Sequence, residues 1–172
     1  MILVDYKQYG PWSLKEIHTN FGHKQSCGIE GCSQKSRSQF EIYSQPCGYT
    51  RYVCSYCASF LTGLDISRLS SVETYIVNIR NQFKDLKNLV GMSPVYNHPC
   101  QDLVGQLNST IGEHRILISM YKNDKYNLKI DGQRIKADLY NTFRSKKQVT
   151  ERAINYINNR NIDKLYYFII NG

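Results

Sequence analysis

The sequence predicts an α+β protein: a cysteine-bearing N-terminal module, a long connecting helix, and a C-terminal antiparallel sheet (βββαβ) packed on helices. Three observations carry this. Two cysteine pairs, Cys27 with Cys32 and Cys54 with Cys57, frame a hairpin-like stretch. Val72, Ile76, Ile79, Phe83, Leu86 and Val90 recur at alternating steps of four and three, which lines one stripe of a helix. "RILISMY", "YNLKI" and "KIDGQRI" then switch to the period of two that strands require. The domain boundaries drawn from these shifts are 1–66, 67–97 and 98–172.

Length and composition fit this plan. At 172 residues, 41% apolar and 21% charged, the chain has material for a real core and is not a disordered polymer. Its net charge of +8 is unevenly placed. Residues 1–66 carry six Lys/Arg against five Asp/Glu, whereas residues 67–172 carry sixteen against nine. A basic half predicts a polyanionic partner, nucleic acid or an acidic protein surface such as a polymerase or another host protein. A solvated face that serves only solubility is the alternative. The opening "MILVDYKQYG" lacks the charged and apolar regions of a secretory signal, and no apolar run approaches a membrane span. These features predict a soluble cytoplasmic protein with no membrane partner. The wealth of Asn, Lys, Ile and Tyr matches AT-rich coding, as in a phage or a low-GC bacterium; a viral protein would work in its host's cytoplasm.

From the N-terminus, "ILVDY" reads as a strand. The Ser13-x-x-Glu16 capping pattern predicts a short helix through Ile17, with Trp12 and Phe21 as core anchors. The cysteine pairs follow. In a reducing compartment disulfides rarely persist, and zinc takes four tetrahedral thiolates as two close pairs on tight turns. Cys54-Ser-Tyr-Cys57 has the spacing of such a turn. Cys27 and Cys32 stand wider apart, with Gly28 and Gly31 between them to allow sharp bends. Phe40, Ile42, Tyr49, Tyr52 and Val53 flank a Pro-Cys-Gly turn as a hairpin, and "CASFLTGL" opens a short helix ending near Gly63. Buried apolar cysteines or redox thiols are the competing readings. Cys47 and then His23 are the substitute ligands to consider, while Cys100 in "NHPCQD" reads as a buried or idle thiol.

A knuckle, a hairpin and a cysteine pair opening a helix together resemble a treble-clef zinc finger, over residues 23–63 only. The resemblance implies one structural Zn²⁺ held by Cys27, Cys32, Cys54 and Cys57. Such a staple supplies roughly 10–16 kcal/mol of apparent binding free energy, and a segment this poor in large aliphatic residues needs it. "RYVCSYC" is also similar to the zinc segment of HNH-type resolvases of the endonuclease VII kind. Those enzymes imply a general-base His and a metal-holding Asp or Asn between the pairs. Residues 33–53 contain none of these, and Glu41 is their single acid. One carboxylate cannot both hold a metal and activate water, so no catalytic residue is assigned.

The helix of residues 70–90 begins at a second capping pattern, Ser70 with Glu73, and stops at Gly91 and Pro94. Arg80, Lys84 and Lys87 form its basic edge. A short helix is expected after Pro99, with Leu103, Val104, Leu107 and Ile111 inward. Asp131-Gly132 marks a type I′ hairpin between two strands. Alternation turns Tyr126, Leu128, Ile130, Ile135, Ala137 and Leu139 inward. It turns Lys125, Asn127, Lys129, Arg134, Lys136 and Asp138 outward. "SKKQVTERAINYINN" is a helix capped by Ser145 with Gln148, its inward residues Val149, Ala153, Tyr156 and Ile157, and "KLYYFII" reads as a closing strand.

Lys125, Lys129, Arg134 and Lys136, with Arg144, Lys146 and Lys147 at the last helix's entry, form the candidate contact surface. No nucleophile–base order, phosphate loop or carboxylate cluster stands out. The function expected is therefore non-enzymatic: a zinc-stabilised regulatory factor acting on nucleic acid or on a transcription machine. A phage-type inhibitor of a host protein is the second reading, and a zinc-containing HNH-like nuclease the third.

Overall fold

The computed structural model describes residues 3–137 and 142–172. A 3-10 helix, Leu3–Tyr9, precedes β1 (Trp12–Thr19), β2 (Gln25–Ser26), β3 (Lys35–Ser36), β4 (Ser38–Ser44) and β5 (Tyr49–Val53). Next come α1 (Ser55–Thr62), α2 (Ile66–Lys87), β6 (Ser93–Pro94), β7 (Leu103–Ile111) and β8 (His114–Tyr121). The series closes with β9 (Lys125–Ile130), β10 (Gln133–Ile135) and α3 (Lys146–Asn171). The fold is α+β with antiparallel sheets, as the residue pattern predicts. Two compact units emerge: Met1–Asn78 with Asn161–Gly172, and Ile79–Arg160.

The first unit is built on the sheet β1-β4-β5. Phe40, Ile42 and Val53 are fully buried with Trp12, Leu14 and Ile17, and Ala58, Leu61, Leu69, Val72, Ile76 and Ile169 join the same core from the helices. Trp12 Nε1 donates to the Tyr6 carbonyl at 2.8 Å, and the Tyr166 hydroxyl donates to the Leu14 carbonyl at 3.0 Å. Two expectations are corrected here. The segment expected as an opening strand is the 3-10 helix, which buries Tyr6. Ser13 and Glu16 cap no helix, because they lie on β1. A bulge between Leu14 and Glu16 shifts the register against β4, so the buried positions run Trp12, Leu14, Ile17. That spacing imitates a helical turn. Phe21 is partly buried against the core, edge-on to Tyr75.

Helix α2 also starts earlier than Ser70 suggests. Asp65 caps it, its carboxylate accepting the Ser67 N–H at 2.8 Å while its carbonyl accepts that of Leu69. Glu73 instead accepts the hydroxyls of Ser36 at 2.9 Å and Ser38 at 3.0 Å.

The second unit holds the sheet β10-β9-β8-β7-β6. Register pairs Ile116 with Ile130, Ile118 with Leu128 and Leu107 with Ile118, all buried. Among the described residues, the unit's other buried apolar side chains include Ile79, Phe83 and Leu86 of α2 and Val149, Ala153 and Ile157 of α3. Asp131 and Gly132 take positive φ, 53° and 80°, as the expected hairpin requires. Ser145 caps α3, accepting the Gln148 N–H at 3.1 Å, while Gln148 reaches back to the Arg144 N–H.

Three further expectations are overturned. Residues 103–111 form strand β7, so Val104 does not share an inward helical face with Leu103, Leu107 and Ile111. "KLYYFII" is the last part of α3, not a strand, so the βββαβ order lacks its closing strand. Val90 lies beyond the end of α2 and is 59% exposed. Tyr156 is half-buried, with the Arg160 guanidinium 4.4 Å over its ring. The faces predicted for Asp138 and Leu139 fall outside the described residues.

Candidate metal centre and cationic sheet face

Four local features converge on one point. The ribbon β2–β3 ends in a tight loop carrying Cys27 and Cys32, closed by hydrogen bonds from Cys27 N–H to the Gln34 carbonyl and from Cys32 N–H to the Ile29 carbonyl. Ile29 is buried beneath this loop. Strand β5 delivers Cys54 as the N-cap of α1, whose first turn carries Cys57. Gly63 ends that helix in the left-handed conformation.

Gly28 locks the loop to the sheet. Its N–H donates to the Tyr52 carbonyl at 2.8 Å, and a Cβ there would stand 2.6 Å from that oxygen. A side chain would push the loop off β5.

The four sulfurs all lie within 4.8 Å of one another. Cys57 Sγ is 3.8 Å from Cys32 Sγ, far beyond a disulfide bond of about 2.05 Å, and all six cysteines are free thiols. Backbone donors face the sulfurs. Cys54 N–H points at Cys27 Sγ (3.3 Å), and Cys57 N–H at Cys54 Sγ (3.5 Å). Donors of this kind, together with the N-terminus of α1, favour negative charge on sulfur. The thiols of Cys54 and then Cys57 turn toward Cys27 and hold it well below the usual thiol range. Cys54 and Cys57 are pushed up in return, since each keeps its proton on the bond to Cys27. The tetrad can hold one metal ion with all four predicted ligands. Cys47 lies exposed in the β4–β5 turn, and neither it nor His23 belongs to the cluster; Cys100 is exposed as well.

Glu41 is buried on β4, where it accepts from His18 Nε2 at 2.9 Å and from Lys15 Nζ at 3.1 Å. The His18 hydrogen bond, and then Lys15, hold its carboxyl below the ordinary range, with burial opposing them. Glu16 approaches His18 at 3.9 Å. Sequence reading missed this grouping because the bulge on β1 sets both Lys15 and Glu16 against Glu41.

The predicted contact residues sit on the second unit. Lys125, Lys129 and Arg134 are exposed on β9 and β10, and Lys136 just beyond. Lys129 stands opposite Arg134 in register. An antiparallel bridge of Tyr126 with Phe143 leads the chain past this edge to exposed Arg144, Lys146 and Lys147 at the start of α3. Sequence reasoning overlooked Arg115, exposed on β8 beside this row. At the same end His114 is buried, and its Nδ1 lies 2.8 Å from Asp131, lowering that carboxylate's pKa.

Among the described residues, no helix is long and apolar enough to cross a membrane. No protein family, curated protein or solved structure matches the chain.

Proposed function

We propose that this is a zinc-stapled binding protein, in which Cys27, Cys32, Cys54 and Cys57 hold one structural Zn²⁺. The sulfur geometry carries this reading. A tetrahedron with arms of about 2.3 Å has edges of about 3.8 Å, the separation between Cys32 and Cys57. The order of loop, hairpin and helix N-terminus is that of a treble-clef finger. Four thiolates saturate the ion and leave no position for water, so it shapes the first unit and performs no hydrolysis.

The protein then acts by contact, as a regulatory factor on nucleic acid or on a machine that handles it, through the cationic side of the β10-β9-β8-β7-β6 sheet. Elemental analysis of protein purified without added metal should find one zinc per chain. A cobalt-substituted sample should show the absorption of a tetrahedral thiolate complex. Absence of metal, or bridged sulfurs, refutes the staple. Binding of a labelled mixed-sequence nucleic acid should fall steeply as salt rises, and further in Lys129→Glu with Arg134→Glu. Binding indifferent to both rejects this surface.

A further inference from the structure

We infer that the outward side of the second unit's sheet is a platform for single-stranded nucleic acid, deepening the contact reading given above and resting on it. The strands β7 to β10 contain no Asp or Glu. Carboxylates occur only in the turns between them, and Asp131 is engaged there by His114 and the Arg115 N–H. Register alternation sends Arg115, Lys125, Lys129 and Arg134 outward, away from the buried Ile116, Leu128 and Ile130. Among the described residues this side has several cations and no acid between them, which complements a phosphate chain more than an acidic peptide, because its neutral positions carry an aromatic and amides as well.

Tyr121 and Leu117 lie on the same side, each half-buried. Asn127 bridges the cations to the aromatic: its amide donates to the Tyr121 hydroxyl at 3.3 Å and accepts from Arg134 at 3.4 Å. Beside them Asn108, Thr110, Arg115, Leu117 and Lys129 line a shallow depression of about 290 Å³. Unstacked bases settle on such surfaces by lying against aromatic side chains and offering their edges to amides. Duplex readers instead insert a helix or a narrow ribbon into a groove about 12 Å wide. A five-stranded sheet face presents neither.

The test is fluorescence anisotropy of the full, metal-loaded chain with a labelled 20-mer of oligo-dT or oligo-U. A 20-bp duplex and poly-glutamate serve as comparison probes. The single strands should bind at least tenfold tighter than either. Tyr121→Ala should weaken that binding by on the order of tenfold, whereas Tyr121→Phe, which keeps the ring and loses the Asn127 bond, should bind like the parent. Circular dichroism and zinc content identify any variant that misfolds, and Asn108→Ala on the same face provides a second variant. Duplex or poly-glutamate binding as tight as the single strand overturns the platform. If that tight binding is still lost in Lys129→Glu, the cationic contact surface itself survives. If no probe binds, both fail.

Discussion

The two units keep their shape by different means. The first packs its core on a three-stranded sheet, and beside that sheet its Cys27–Gln34 loop and α1 meet at four sulfurs. The second has long hairpin ladders, with eight register pairs joining β7 to β8, and a continuous apolar side. If the four sulfurs hold the proposed ion, the first should depend on it, whereas the second rests on burial alone. The loop's large buried apolar anchor is Ile29, so little else holds it once the thiol contacts go, whereas a sheet loses its packing one side chain at a time.

Removing the proposed ion should produce the largest effect. Chelation, or Cys32→Ser, should strip hydrogen-exchange protection from β4, β5 and α1, because a staple of roughly 10–16 kcal/mol is lost. Protection across β8 and β9 should persist; its simultaneous loss would show that the contrast is mistaken. Next comes Ile118→Ala, at a fully buried sheet position, with an expected cost of about 2–5 kcal/mol in denaturant unfolding and unchanged zinc content. Gly28→Ala should act the opposite way. It should lower metal affinity on the order of ten- to a hundredfold, measured by competition with a chelating dye, by moving the loop that Tyr52 holds. Ser145→Ala should cost the second unit about 1 kcal/mol of stability through the lost cap of α3.

Acid provides the finest distinction. Glu41 in the first unit and Asp131 in the second both have depressed pKa values. Each stabilises its unit at pH above the ordinary carboxylate value, and that contribution is lost as pH falls through the lower folded value. Protonation of the thiolates would release the proposed ion on the same limb, so Glu41→Gln should lessen, not abolish, the first unit's acid sensitivity and leave the second unit's limb in place, read by exchange at low pH.

The cysteine spacing, the long α2 stripe and the Asp131-Gly132 hairpin were legible because each is a local pattern with one geometric solution. The misread segments share a different property. On β1 the bulge at Lys15 turns a period of two into a step of three. On β7 two inward positions are Gly105 and Ser109, too small to announce an alternation. Gly105 is small for a reason seen only in three dimensions: a Cβ there would meet Met92 Sδ at 3.1 Å and Met120 Cε at 3.3 Å. At the C-terminus, aromatic and β-branched residues suggested a strand. Ile162, Leu165, Tyr166 and Ile169, all packed on the first core, have the three-and-four spacing of the helix that forms. Tertiary burial overrode local preference there. The cationic sheet face was half visible, since alternation assigns Lys125, Lys129 and Arg134, but Arg115 needs the register of β8 to join them.

The last turns of α3 add a matter of timing. Ile162, Leu165, Tyr166 and Ile169 complete a core otherwise made of residues before position 78, and the Tyr166 hydroxyl reaches back across 152 positions to Leu14. On a ribosome the cysteines emerge early, yet the hydrophobic shell around them stays open until α3 has been made. The intervening hairpins can meanwhile assemble by themselves. A nascent chain that has emerged only as far as residue 160 would thus carry a finished middle and an unfinished beginning, open to proteases and chaperones for as long as that state lasts.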